Sequence, residues 1–123
     1  MSKSETIIGV VGPCSAGKTT LITKLSQHGF SAKHIAQEHS YVKDMWQRIG
    51  KPDILIYLDV SYEQSMKRRP LNMSALEFEE QNHRLVHARQ HAECYLNTTE
   101  LTPQEVFACI EGFLRNSQVQ AHG

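Results

Sequence analysis

The sequence predicts an α/β fold of three layers, a small parallel sheet covered by helices on both sides. Two strand-like runs, "TIIGVVG" at 6–12 and "DILIYLDV" at 53–60, are apolar without alternation, as in strands buried on both faces. Helical stretches separate the strand candidates, and parallel strands need such crossovers. A chain of 123 residues fits one domain with a genuine core and little room for a second.

The elements follow in order. After the first strand a helix is predicted to begin near Gly17 and run through "KTTLITKLSQH". Leu21, Ile22 and Leu25 line one side, and Gly29 ends it as a C-terminal cap. "SAKHIAQE" at 31–38 reads as a second strand. "SYVKDMWQRIG" at 40–50 has Val42, Met45, Trp46 and Ile49 at helical spacing before a Gly stop. Past the 53–60 strand, Ser61 and Gln64 make a capping box for a helix ending at Pro70. Ser74 and Glu77 make another, opening a long helix to about Cys94, followed by a brief strand at 95–97. Thr102, Pro103 and Glu105 combine N-cap, first-turn proline and capping Glu. The last helix carries a stripe of Val106, Ile110, Phe113 and Leu114, and the polar tail at 116–123 is expected to fray into disorder.

Composition narrows the function classes. Thirteen basic and thirteen acidic residues give zero formal charge, so no broad basic surface for a nucleic acid or a membrane is indicated. An anion must be captured by a local cluster. The three cysteines, Cys14, Cys94 and Cys109, fall in no metal-ligand spacing. With no long apolar run, a cytoplasmic setting is expected.

The stretch "GPCSAGKTT" carries the chemistry. Gly12, Pro13, Cys14, Ser15, Ala16, Gly17, Lys18 and Thr19 fit G-x-x-x-x-G-K-S/T at every fixed position, with Thr20 opening the helix. Glycines let the backbone curl so that N–H groups point at phosphate oxygens, and the helix N-terminus adds its dipole. Lys18 supplies a charge for the β and γ phosphates, and the Thr19 hydroxyl is a ligand for Mg²⁺. The Cys14 side chain is expected to point away while its backbone binds.

From this motif on, residues 6–114 resemble the P-loop kinases of the nucleoside and nucleotide kinase type. "PDILIYLDVSYEQSMKRR" looks like that family's strand and helix leading into its lid. "YLNTTELTPQEVFACIEGFL" looks like its last strand, adenine-side loop and closing helix. The resemblance implies ATP with Mg²⁺ and phosphoryl transfer to a small-molecule acceptor. It sets Arg68 or Arg69 near the transferred phosphate, and the loop from Asn97 through Thr98 and Thr99 to Leu101 beside the adenine. Such kinases carry two strands and a helical insert before the "DILIYLDV" strand. Here there is room for one strand and one short helix.

Two carboxylates compete for the metal or the acceptor hydroxyl: Glu38 at the end of the second strand, and Asp59 at the end of the third. Beyond Glu38, "HSYVKDMW" offers His39, Tyr41, Asp44 and Trp46 as acceptor-site walls, with core packing as the alternative for Tyr41 and Trp46. Lys67, Arg84 and Arg89 are further cations near the lid turn. His83, His87 and His91 form one helical stripe, read as a solvated or interface face rather than a metal site. Besides a kinase, the residues allow a nucleotide-binding module or switch without an acceptor, though no "NKxD" guanine motif occurs. They also allow a homodimer in which an identical subunit completes the acceptor site.

Overall fold

The computed structural model describes residues 6–68 and 73–122. Arg69 and Pro70, named above, lie outside the described residues. The apolar run at the start forms β1 (Ile7–Val11), which leads through the glycine-rich loop into α1 (Lys18–Gln27). Gly29, at φ 88°, closes α1 while the Phe30 N–H donates back to the Leu25 carbonyl at 3.0 Å, a left-handed helix stop. Then come β2 (Ser31–His34), a 3-10 turn (Gln37–His39), a π-helical turn (Trp46–Gly50) and β3 (Ile54–Asp59). The second half holds α2 (Tyr62–Arg68), α3 (Ala75–Arg84), α4 (Val86–His91), β4 (Cys94–Asn97) and α5 (Pro103–His122).

All four strands are parallel, in the order β2-β1-β3-β4. The pleat of β3 sends alternate residues to opposite faces. Ile56 and Leu58 join Ile8, Val10, Leu21, Leu25, Val106, Ile110 and Leu114 in one core. Leu55 and Tyr57 join Val11, Ile35, Trp46, Leu85 and Ala88 in the other. Helical segments therefore cover both faces, which is why "DILIYLDV" shows no alternation. β1 lies between β2 and β3, so the chain reverses its direction of travel across the sheet beside β1. In open α/β sheets a crevice opens at that point, beyond the strand C-termini.

Helix starts follow their caps. Glu77 N–H donates to Ser74 Oγ at 3.1 Å and Ser74 N–H to Glu77 Oε1 at 2.8 Å. Thr102 and Glu105 make the same reciprocal pair at 3.2 and 2.8 Å, as expected of capping boxes.

Three elements differ from the sequence expectation, and one side chain accounts for all of them. Gln37 is fully buried, and its amide donates to the carbonyls of Val42 at 2.8 Å and Arg84 at 3.2 Å. Its Oε1 accepts from Trp46 N–H at 2.7 Å. Burying that amide ends β2 at His34, four residues early, and turns the backbone. The predicted 40–50 helix is reduced to turns and the π-helical stretch, because Val42 O and Trp46 N–H are bonded to Gln37. Arg84 O is drawn off its helical partner, and the long helix divides at Leu85 into α3 and α4. The last helix continues to His122 along the segment expected to fray.

Leu58 lies wholly buried in the larger core. Leu58→Ala is expected to destabilise the fold by about 2–5 kcal/mol, read as a lowered urea midpoint at unchanged slope. An unchanged midpoint would contradict this packing.

Candidate functional site

The site begins with a steric constraint at the end of β1. A Cβ on Gly12 would stand 2.1 Å from the Leu58 carbonyl oxygen, so only glycine lets the loop pass β3 there. Ser15 at φ 66° and Gly17 at φ 101° then adopt left-handed conformations that curl the backbone.

The loop is stapled from behind. Cys14 N–H donates to Gln81 Oε1 at 3.1 Å, and Ser65 Oγ donates to Cys14 O at 3.0 Å. Arg68 donates to Ser15 O at 3.0 Å, and Thr98 Oγ1 to Ala16 O at 2.9 Å. Carbonyls are thus tied outward. Among the described residues, nothing accepts from the N–H groups of Ser15, Gly17, Lys18, Thr19 and Thr20. A ring of free N–H groups at a helix start receives an anion.

Lys18 crosses beneath this ring. Its ammonium donates to Gly12 O, to Pro13 O at 3.4 Å and to Glu38 Oε2 at 2.6 Å. Both side chains are buried, with 7% and 3% of their surface exposed. The other carboxylate oxygen, Glu38 Oε1, is buried and takes no hydrogen bond among the described residues; the same holds for Ser15 Oγ. Arg84 donates to Glu38 O at 3.2 Å and holds the turn against α3.

Around these groups lies a cavity of about 690 Å³, bounded by the loop and α1 on one side and by Glu38, His39, Arg68 and Thr98 on others. Leu101, Pro103 and Val106 form an apolar wall. A pocket of this size, mostly apolar with converging polar groups, suits a small ligand.

The predicted residues do not all meet there. Glu38 reaches Lys18 from the 3-10 turn, not from a strand end. Asp59 lies outside the cavity: Tyr95 OH donates to its Oδ2 at 2.5 Å and Val60 N–H to its Oδ1 at 2.9 Å. Thr98 lines the cavity, but Asn97 and Thr99 serve their own loop, Asn97 Oδ1 accepting from Thr99 N–H at 2.9 Å and Thr99 Oγ1 from Ser61 N–H at 3.0 Å. Arg68 is anchored to Ser15 O and to Thr98 rather than standing free, and burial lowers its pKa from the ordinary value. The Cys14 sulfur, expected to point away, faces Glu38 and His39 and accepts from Gln81 Nε2 at 3.2 Å.

No protein-family model and no curated protein matches this chain. The reading of the site therefore rests on its geometry.

Of the proposed acceptor walls, His39 lines the cavity, with Nε2 3.7 Å from Glu38 Oε2. Tyr41 is 86% exposed and stacks over Arg84 at 4.4 Å. Trp46 is core, 5% exposed. Arg89 packs on the Tyr95 ring at 4.8 Å, away from the cavity. Sequence reasoning missed His34, Pro103 and Val106. The latter two sit in a plainly helical stretch whose signals concern capping and core, and nothing local shows that they also face a cavity.

Magnesium takes hard oxygen ligands. The orphaned Glu38 Oε1 and the Thr19 hydroxyl on the same cavity fit that demand, whereas both oxygens of Asp59 are engaged.

Gln37 tests the frame of the site. Gln37→Leu leaves the Trp46 N–H and the Arg84 carbonyl without the partner that Gln37 gives them, each costing about 1–3 kcal/mol, so a loss of at least about 2 kcal/mol is expected in chemical denaturation. A variant as stable as wild type would remove Gln37 from its organising role.

Trp46 Nε1–H donates to His87 Nδ1 at 3.1 Å, which requires a neutral imidazole. Burial first, then His91 and Lys43, hold His87 below its ordinary 6.5, with Asp44 opposing. Its contribution to stability is thus complete above about pH 6.5 and lost as pH falls through the lower folded value. Emission from the single tryptophan should change with a midpoint below 6.5, and His87→Gln should abolish the transition. A midpoint above 6.5 would contradict the assignment.

Proposed function

We propose that the chain binds a magnesium nucleoside triphosphate, ATP foremost, and transfers its γ-phosphoryl group to a small-molecule acceptor such as a nucleoside or nucleotide. The observation that carries this reading is the ring of free N–H groups of Ser15, Gly17, Lys18, Thr19 and Thr20 over the buried Lys18 side chain, with a buried, unpartnered carboxylate oxygen of Glu38 beside it. A strand, a curled glycine loop and a helix in that order also support the three-layer P-loop kinase fold.

The N–H ring holds the β and γ phosphates. An incoming phosphate competes for the Lys18 ammonium and releases Glu38 from its ion pair. Thr19 and Glu38 would hold Mg²⁺, which when bound neutralises charge on the phosphate oxygens. The apolar wall of Leu101, Pro103 and Val106 receives the base. Glu38 orients the acceptor hydroxyl and accepts its proton at Oε2, the oxygen that Lys18 has released. The bond from the γ-phosphorus to the bridging oxygen breaks as the bond to the acceptor oxygen forms. Such transfer depends mainly on positioning and charge stabilisation, which a short chain can supply.

A second reading follows from Arg68. An arginine anchored to Ser15 and Thr98 stabilises the loop rather than a moving phosphoryl group, which favours a nucleotide-binding module without an acceptor.

ATP consumption with a panel of nucleosides, nucleotides and small alcohols separates the two. An acceptor-stimulated rate, abolished in Lys18→Ala, is expected. Glu38→Gln should retain nucleotide and lose about 10²–10⁴ in turnover. Magnesium-dependent binding with no stimulating acceptor would support the module, and absence of nucleotide binding would overturn both readings.

A further inference from the structure

Beside the cradle the chain brings together three side chains of a different chemistry. Among the described residues, Cys14, Glu38 and His39 are the one group of three metal-ligating side chains whose ligand atoms all lie within 4.8 Å of one another. Cys14 comes from the loop after β1, and Glu38 and His39 from the 3-10 turn after β2, so the parallel pairing of β1 with β2 sets them face to face. All three line the cavity.

From this geometry we propose a site for a borderline-soft divalent cation, zinc being the fitting case, held by Cys14 Sγ, a Glu38 carboxylate oxygen and His39 Nε2. Ligand type decides the metal. Thiolate and imidazole with one carboxylate suit zinc, while magnesium and calcium take oxygen alone. Zinc–sulfur and zinc–nitrogen bonds of about 2.3 and 2.1 Å set tetrahedral ligand atoms roughly 3.5 Å apart. Glu38 Oε2, the oxygen that Lys18 also holds, already stands 3.7 Å from His39 Nε2. A shift of about one ångström in the half-buried Cys14 or the exposed His39 brings the third atom to that spacing.

An independent observation also points to a ligand. Glu38 is 2% exposed, and its Oε1 is buried without a hydrogen-bond partner. An unpaired buried carboxylate oxygen is costly, and a cation satisfies it. Binding transfers the Cys14 thiol proton to solvent; the thiolate and the Glu38 carboxylate then carry two negative charges toward the ion, while Lys18 keeps its contact with the same carboxylate. Three protein ligands leave the fourth tetrahedral position open toward the cavity. Since Glu38 belongs to both sets, zinc and a magnesium nucleotide exclude one another at this carboxylate, a consequence that rests on the proposed function. The site itself does not.

The test uses the full chain, reduced and free of nucleotide, with zinc chloride followed by equilibrium dialysis and with cobalt(II) as a spectroscopic stand-in. One cobalt should produce a near-ultraviolet thiolate charge-transfer band that persists in Cys94→Ser/Cys109→Ser and disappears in Cys14→Ser. His39→Asn, a change at an exposed side chain, should weaken zinc at least 10-fold, the lower end of losses seen even for outer partners of metal ligands. His87→Ala/His91→Ala should leave the band intact, which separates this site from the histidine stripe. Absence of a band in wild type, its survival in Cys14→Ser, or undiminished zinc affinity in His39→Asn would each overturn the proposal. Because no nucleotide is present, a failure here is distinct from failure of nucleotide binding.

Discussion

Lys18 and Glu38 are charged, more than nine-tenths buried and 2.6 Å apart. Neither is tolerable there alone, since a buried charge stripped of its partner costs about 3–5 kcal/mol. The pair therefore ties the loop after β1 to the turn after β2, and the remaining contacts of the site serve that tie. Gly12 supplies the close approach to β3, and Arg84 holds the Glu38 carbonyl. Gln37 shapes the turn that presents the carboxylate.

The pair is satisfied unevenly. Lys18 has two loop carbonyls and a carboxylate oxygen, while Glu38 keeps one oxygen without a partner. A core designed only for stability would not leave such an atom, because an unmade hydrogen bond costs more than a made one gains. It belongs to the carboxylate that lies within 4.8 Å of the Cys14 thiol and the His39 imidazole, which sets the unsatisfied atom at the centre of the site's chemistry.

The loop itself is rigid by construction. Gln81 from α3, Ser65 and Arg68 from α2, and Thr98 from the loop after β4 hold its peptides from the second half of the chain. The second half thus builds the back wall of a site whose motif lies wholly in the first. Arg68 spends its guanidinium on this wall, and burial of that cation is offset by its bonds to Ser15 and Thr98.

Much was legible in the chain alone. Residues 12–20 announce a curled loop, because glycine spacing, lysine and hydroxyl are local requirements. The β3 strand, the capping boxes of α3 and α5 and the stripe of α5 are likewise short-range signals, decided by pleat, helix period and hydrogen bonding within a few residues. Tertiary structure decided what depends on partners far along the chain. Gln37, bonded to Val42, Trp46 and Arg84, cut short β2 and divided the helix at Leu85. Packing beside His87 made Trp46 a core residue, and Tyr95 claimed Asp59. Burial in three dimensions, not residue type, chose Glu38 over Asp59 as the carboxylate of the site and turned Cys14 toward it.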